Sequence, residues 1–364
     1  MIGKDCSHMP IAVKRTDAPS AKPDPTSGLG FGRYFTDHMF LADYDAARGW
    51  YDLRVEPLHT MNLHLASGVF HYGAEVFEGL KAYRTAQGGI QLFRPWDNAQ
   101  RLNSSAARMG LPTFDPDLLL EALDTLVQTD AEWVPDAPGT ALYLRPFLFC
   151  TDAQLGIHAI ERARLCIIAS PVGSYYAGGM KPVRILIEQE DVRAVRGGTG
   201  YAKCGGNYAA SNRATTRATA QGYDQVLWLD GVHRRYVEEV GAMNIMFRIN
   251  DTVITPSLDG SILPGITRRT CITLLEEAGI PVEERPVSVD ELTEALRTGA
   301  LKEAWGCGTA AVISPIGVFG YHGDTYSVGS GEIGQTAKML FDTITGIQYG
   351  RISDAHGWIH PVLI

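Results

Sequence analysis

The chain has no Cys-x-x-Cys pair, no His-Glu-x-x-His and no run of basic residues. Its six cysteines, Cys6, Cys150, Cys166, Cys204, Cys271 and Cys307, are scattered through 364 residues. That spread argues against a disulfide framework and for reduced thiols. With no clustered His or Cys spacing, no metal is assigned. No apolar stretch approaches a membrane span, and the first residues lack the apolar core of a signal peptide. Asp5, Asp17 and Asp24 argue against an organellar transit sequence, which is poor in acids. With 41 acidic against 32 basic residues, the net charge of -9 disfavours nucleic acid as a partner. A soluble cytoplasmic protein, with neither nucleic acid nor membrane as partner, is the expectation.

The residues present fit an ordinary globular protein, 45% hydrophobic and 20% charged, long enough for two domains. Residues 1–28, rich in Pro, Asp, Ser and Lys, show no periodic apolar face and read as a flexible arm. Over 29–176, β-like runs such as Ile90 to Phe93 and Ala141 to Arg145 alternate with helical patterns such as Asp117 to Val127, predicting a small α+β domain. Residues 177–182 hold two glycines and a proline and read as the linker. A larger domain is expected over 183–364, starting at the β-branched run Val183 to Ile187. Within it, Gln225 to Leu229, the turn Asp230-Gly231 and Val232 to Glu239 predict a hairpin. Helices are expected over Tyr208 to Gln221 and Ile266 to Ala278, each followed by a glycine.

Lys203 lies in Gly197-Gly-Thr-Gly-Tyr-Ala-Lys-Cys-Gly-Gly-Asn-Tyr208, between two glycine clusters. The glycines suggest backbone pressed close to something bulky, such as a cofactor. A P-loop is excluded, because Ala202 and Cys204 flank the lysine where Gly-Lys-Ser or Gly-Lys-Thr is needed. A nucleophilic lysine instead suits a Schiff base, as with pyridoxal 5'-phosphate (PLP). PLP also needs a phosphate cradle. Leu263-Pro-Gly-Ile-Thr267 opens a helix, and Gly306-Cys-Gly-Thr-Ala310 exposes amides between small side chains. Arg101 offers a guanidinium for the phosphate, and Glu238 or Glu239 a carboxylate for the ring nitrogen. On a strand these two glutamates face opposite ways, so one of them enters the site.

Taken together, these stretches resemble the branched-chain amino acid aminotransferases, PLP enzymes of fold-type IV. The resemblance also runs through Phe31 to His38, Tyr72 to Lys81, Phe93 to Arg101, Tyr143 to Arg145 and Pro171 to Tyr175, in family order. It implies an α/β and α+β two-domain fold: a smaller N-terminal α+β domain and a larger C-terminal domain with a barrel-like sheet. It also implies Lys203 as Schiff-base lysine, Glu239 at the ring nitrogen and Tyr208 at the phenolic oxygen. Arg101, Gly265, Ile266, Thr267 and Thr309 are implied around the phosphate, with Leu263 beside the ring. Phe31, Tyr72, Phe77, Tyr143 and Tyr175 are implied as the substrate wall, Arg145 as the partner of a substrate carboxylate, and the amides near Thr309 and Ala310 at the α-carboxylate.

The implied reaction moves an amino group between L-leucine, L-isoleucine or L-valine and 2-oxoglutarate, yielding L-glutamate and the branched 2-oxo acids. It stands last in the biosynthesis of these amino acids or first in their degradation. By the same resemblance, Tyr72, Leu155 and Ile157 approach the active site of a neighbouring subunit, so a homodimer is expected. Two features depart from relatives. Ala311 and Ser314 stand where some carry a Cys-x-x-Cys redox switch, and Ala242 where some carry threonine. A fold-type IV enzyme for D-amino acids or aminodeoxychorismate would share the cofactor shell. The Tyr72 to Lys81 stretch and the Tyr143/Arg145 pair favour the branched-chain class.

Overall fold

The computed structural model describes residues 9–173 and 180–364. The chain divides into two compact units, Met1–Ala177 with Ala202–Gly205 and Ile347–Ile364, and Gly178–Tyr201 with Gly206–Gly346. This differs from the expected boundaries. The chain end returns to the first unit, where Ile359–Val362 pairs antiparallel with Ile90–Phe93. The Lys203 segment also belongs to the first unit, which is therefore the larger of the two. Of the expected linker, 177–179 lie outside the described residues.

The first unit is built on a nine-stranded sheet. Its central strands, His38–Asp45, Arg162–Val172 and Ala141–Cys150, are long antiparallel neighbours that are largely buried. Helix Pro116–Thr129 covers it with Leu118, Leu119, Ala122, Leu123, Leu126 and Val127, the i, i+4 spacing of one buried face. Pro116 starts that helix with a preset φ, and the Asp115 carboxylate caps it by accepting from the Asp117 amide at 2.9 Å. Residues 9–28 are held rather than loose. Ala12–Val13 pairs with Arg54 and Val55, the Thr16 amide donates to His38 Nε2 at 2.9 Å, and Lys22 meets Glu132 at 2.8 Å.

The second unit contains a closed barrel of six strands. In order they are Val237–Val240, Gln225–Leu229, Val183–Ile187, Val312–Tyr321, Leu301–Gly308 and Met243–Ile249, and the last pairs back with the first. The large side chains of Trp228, Phe247, Trp305 and Phe319 are fully buried against the two faces of this sheet, Trp228 beside Ala214 and Ala218 of helix Asn212–Ala220.

Two local expectations are corrected. The segment expected as one helix from Tyr208 is two, Gly205–Ala209 and Asn212–Ala220. At the break the Ser211 amide donates to the Tyr208 carbonyl three residues back, and its hydroxyl donates to the Asn207 carbonyl. The expected hairpin turn at Asp230-Gly231 is a longer loop. The Asp230 carboxylate accepts from the amides of Val232, His233, Arg235 and Tyr236, so the second strand begins only at Val237.

Candidate functional site

In the first unit, Lys203 is fixed by its backbone. Its amide donates to Ser105 Oγ at 2.9 Å, and its carbonyl accepts from the Phe77 amide at 2.9 Å. Its neighbours Ala202 and Cys204 are buried in the core. The Lys203 Nζ sits 4.8 Å from the centroid of the Phe77 ring. Two of the flanking glycines, Gly200 and Gly205, have protein neighbours that leave no room for a side chain. A Cβ on Gly200 would strike the Ser261 carbonyl, and one on Gly205 the Glu75 carboxylate, which accepts from the Gly205 amide.

Arg101 is buried, and Glu78 occupies two of its nitrogens, Nε at 2.7 Å and Nη2 at 3.0 Å. The guanidinium thus arrives already neutralised by Glu78. Burial alone would push the Glu78 carboxyl up, but Arg101, the nearby Lys203 charge and Asn98 outweigh it and hold the carboxyl below its usual range. Glu78 was missed in the sequence. It stands inside the Tyr72 to Lys81 stretch, but a lone glutamate there reads as surface charge.

Phe31, Phe77, Tyr143 and Arg145 come together. The Phe31 and Tyr143 rings meet edge-on at 4.8 Å, and the Arg145 guanidinium lies 4.7 Å from the Phe77 centroid and 5.2 Å from that of Tyr143. Arg145 Nη2 donates to the Tyr143 hydroxyl at 2.9 Å, while Arg145 Nε is buried without a hydrogen-bond partner. Tyr72 stands elsewhere. It is 44% exposed, its hydroxyl accepts from the Gly156 amide, and Leu155 and Ile157 beside it are also exposed. Tyr175 lies outside the described residues.

In the second unit, Glu238 and Glu239 are both buried on the Val237–Val240 strand. Glu239 Oε1 accepts from the Leu263 amide at 2.7 Å, and its Oε2 is 3.3 Å from Arg193 Nε. Glu238 instead accepts from Ser261 Oγ at 2.5 Å. Arg193 was also missed, because an isolated arginine upstream of a glycine-rich loop carries no pattern of its own.

Helix Ile266–Glu277 begins at Gly265 with no side-chain cap, which leaves its first amides without an intrahelical acceptor. Gly265 is required there, since a Cβ would strike Asn244 Oδ1, and Asn244 Nδ2 holds the Leu263 carbonyl at 2.9 Å. Ile266 and Thr267 are the first buried residues of that helix. Thr309 and Ala310 follow the strand ending at Gly308. The turn closes at Val312, a β-branched residue with φ of 62°, strain of the kind found at ligand sites. Tyr208 lies on the short helix Gly205–Ala209.

These groups have a known counterpart. The family model for "Amino-transferase class IV" matches residues 75–318. The chain belongs to the class IV aminotransferases. It is 51% identical over 352 residues to branched-chain-amino-acid aminotransferase 2 of Bacillus subtilis, covering 97% of each chain. It is 46% identical to the branched-chain-amino-acid aminotransferase of Mycolicibacterium smegmatis over 91% of each. Among solved structures, the branched-chain aminotransferase of Escherichia coli superposes with a TM-score of 0.74 at 27% identity, over 88% of this chain and 99% of that one. The Thermobaculum terrenum enzyme in its PLP form gives 0.74 at 26%, over 90% and 99%.

Class IV aminotransferases use PLP. The donors here fit that group: an uncapped helix N-terminus for a phosphate, a buried and anchored carboxylate for a ring nitrogen, and a lysine fixed at its backbone.

Proposed function

We propose that the protein is a PLP-dependent branched-chain-amino-acid aminotransferase, exchanging the amino group of L-leucine, L-isoleucine or L-valine with that of L-glutamate through their 2-oxo acids. One observation carries this reading: the wall of Phe31, Phe77 and Tyr143 also contains Arg145 with an unpartnered buried nitrogen. Such a wall accepts a branched aliphatic side chain on its apolar surface. It also accepts the side-chain carboxylate of glutamate at Arg145, since a buried carboxylate needs a partner. Three substrates differing by a methylene or its position are expected to share it, because one methylene discriminates by only about 1–3 kcal/mol.

When bound, PLP supplies the electron sink for breaking the bond at the substrate α-carbon. Lys203 would hold it at rest, and Lys203 Nζ carries the proton away from the substrate α-carbon and returns it during turnover. Glu239, steadied by the Leu263 amide and Arg193, holds a proton on the ring nitrogen. Tyr208 donates to the phenolic oxygen. Arg101, the first amides of helix Ile266–Glu277, Thr267 and Thr309 bind the phosphate, while Leu263 packs against the ring. The amides at Thr309 and Ala310 take the α-carboxylate. Tyr175 completes the substrate wall.

The active form is a homodimer with its sites near the subunit interface. Support comes from the exposed Leu65, Phe70, Tyr72, Leu155 and Ile157, a larger apolar display than isolated surface residues make. Cytoplasmic residence accords with Cys150, Cys166, Cys204, Cys271 and Cys307, all free thiols. Among the described residues, no helix is long and apolar enough to cross a membrane. A coupled assay over L- and D-amino acids with 2-oxoglutarate tests the activity. Turnover of the branched L-amino acids is expected, and its absence for all three defeats the reading. Light scattering tests the dimer, which an active monomer would exclude.

A further inference from the structure

The Val237–Val240 strand has a second face. Glu239 serves the proposed PLP site, and Glu238 points the other way, into a cavity of about 400 Å³ wholly within the second unit. This lies in the roughly 300–1,000 Å³ range of small-molecule pockets. Val232, Val237, Ile262, Pro256 and Pro286 supply apolar walls, and Tyr236 stands at the rim. At the floor Glu238 is 4% exposed, and its Oε2 is buried with no hydrogen-bond partner. A buried carboxylate oxygen without a donor is costly unless something supplies one.

The other acids around the cavity are already engaged. Asp230 accepts from four backbone amides. Asp259 takes the Arg196 guanidinium and the Ser261 hydroxyl. Ser261 has one proton to give, yet its oxygen lies 2.5 Å from Glu238 Oε1 and 2.8 Å from Asp259 Oδ1. Whichever carboxylate takes that proton, Glu238 Oε2 is left without a donor. Among the described residues, no group of three His, Cys, Asp or Glu converges to hold a metal ion. One carboxylate oxygen under apolar walls suits an ammonium instead.

We infer that this cavity is a second ligand site, taking a small protonated amine with a compact apolar body, whose N–H donates to Glu238 Oε2. Burial pushes the Glu238 carboxyl up to about 7, against the Ser261 hydrogen bond and the Arg193 charge, while Asp259 and Glu239 add to the rise. Arg196, Asp230, His233 and Tyr236 are the remaining charged or titratable groups on the walls. An amine that binds while Glu238 is protonated therefore displaces that proton to solvent and forms one ion pair, and below pH 7 this release accompanies most binding events. Ile262 lines the cavity and precedes Leu263, whose amide holds Glu239, so occupancy also bears on the carboxylate of the proposed PLP site.

The test uses the PLP-loaded enzyme and N,N-dimethylisoamylamine, a tertiary amine that cannot form a Schiff base, with binding followed by calorimetry. Saturable binding is expected, about tenfold weaker at pH 6 than at pH 8. Glu238→Gln should weaken it at least tenfold. So should Val232→Trp, which narrows the mouth at an exposed position and spares the fold. No binding to the wild type overturns the proposal. So does equal binding to E238Q, or to the wild type by 2,5-dimethylhexane, the uncharged hydrocarbon of the same shape.

Discussion

Around Glu78, in the first unit, a fully buried carboxylate meets Arg101 through two nitrogens, Asn98 Nδ2 at 2.7 Å and the Gly79 amide at 3.1 Å. Around Glu238, in the second, a carboxylate buried almost as deeply has the Ser261 hydroxyl on one oxygen and nothing on the other. Depth is nearly the same, and the titration goes opposite ways: Glu78 is held below its usual range, and Glu238 is pushed up to about 7. Burial sets the cost of the charge, and the partners decide whether the charge stays. The first region keeps fixed charges beside a lysine. The second keeps a carboxylate poised to change state.

The largest effect that sharpens this contrast is at Lys203, the cation facing Glu78. Lys203→Ala is expected to cut leucine transamination by roughly 10²–10⁴-fold through the lost proton transfer alone. A wild-type rate in the coupled assay would remove Lys203 from the mechanism. Glu78→Ala strands the buried Arg101 and is expected to destabilise by about 3–5 kcal/mol in urea unfolding; a cost below about 1 kcal/mol would mean that the pair is not truly buried.

Glu238→Gln should act in the other direction. A folded pKa of about 7 against an ordinary 4.5 means that the native state binds the proton more tightly. Ionised Glu238 therefore costs stability, increasingly as pH rises from 4.5 to 7. The variant should gain up to about 3 kcal/mol at pH 8 and nothing below pH 4.5, and parallel pH curves for the two proteins would contradict it. Asp230, on the same cavity, is the counterexample that follows the Glu78 rule. Burial raises its pKa, but four amides bring it down to about 2 from 3.8. Its contribution is complete above pH 3.8 and is lost as pH falls through 2. Asp230→Ala should cost about 1 kcal/mol at pH 7, since solvent screens this half-exposed carboxylate, and converge with the wild type near pH 2.

Much of the fold was legible from periodicity. Ile90–Phe93 and Val183–Ile187 are strands with the predicted ends, and the helix at Ile266 starts where expected. Side-chain to backbone hydrogen bonds were not legible. Asp230 replaced a two-residue turn with a longer loop, and Ser211 split a helix, because each competes for amides or carbonyls that a propensity reading gives to regular structure. Of the candidate site, the lysine, the glutamate pair and the glycine-led helix start stand out as local patterns. Glu78 and Arg193 do not, since each matters only through a charge brought to it from elsewhere in the chain.

The sequence by itself determined the lysine between glycines, the alternation that separates Glu238 from Glu239, and the absence of metal or disulfide spacing. These are properties of neighbours along the chain. Only the tertiary structure decided that Gly200 and Gly205 yield to Ser261 and Glu75, that the Lys203 segment and the last strand join the first unit, and that Glu238 faces a cavity with an unanswered oxygen. Those depend on which groups meet after folding. Steric room and the pairing of buried charge are set by neighbours in space, which local spacing does not encode.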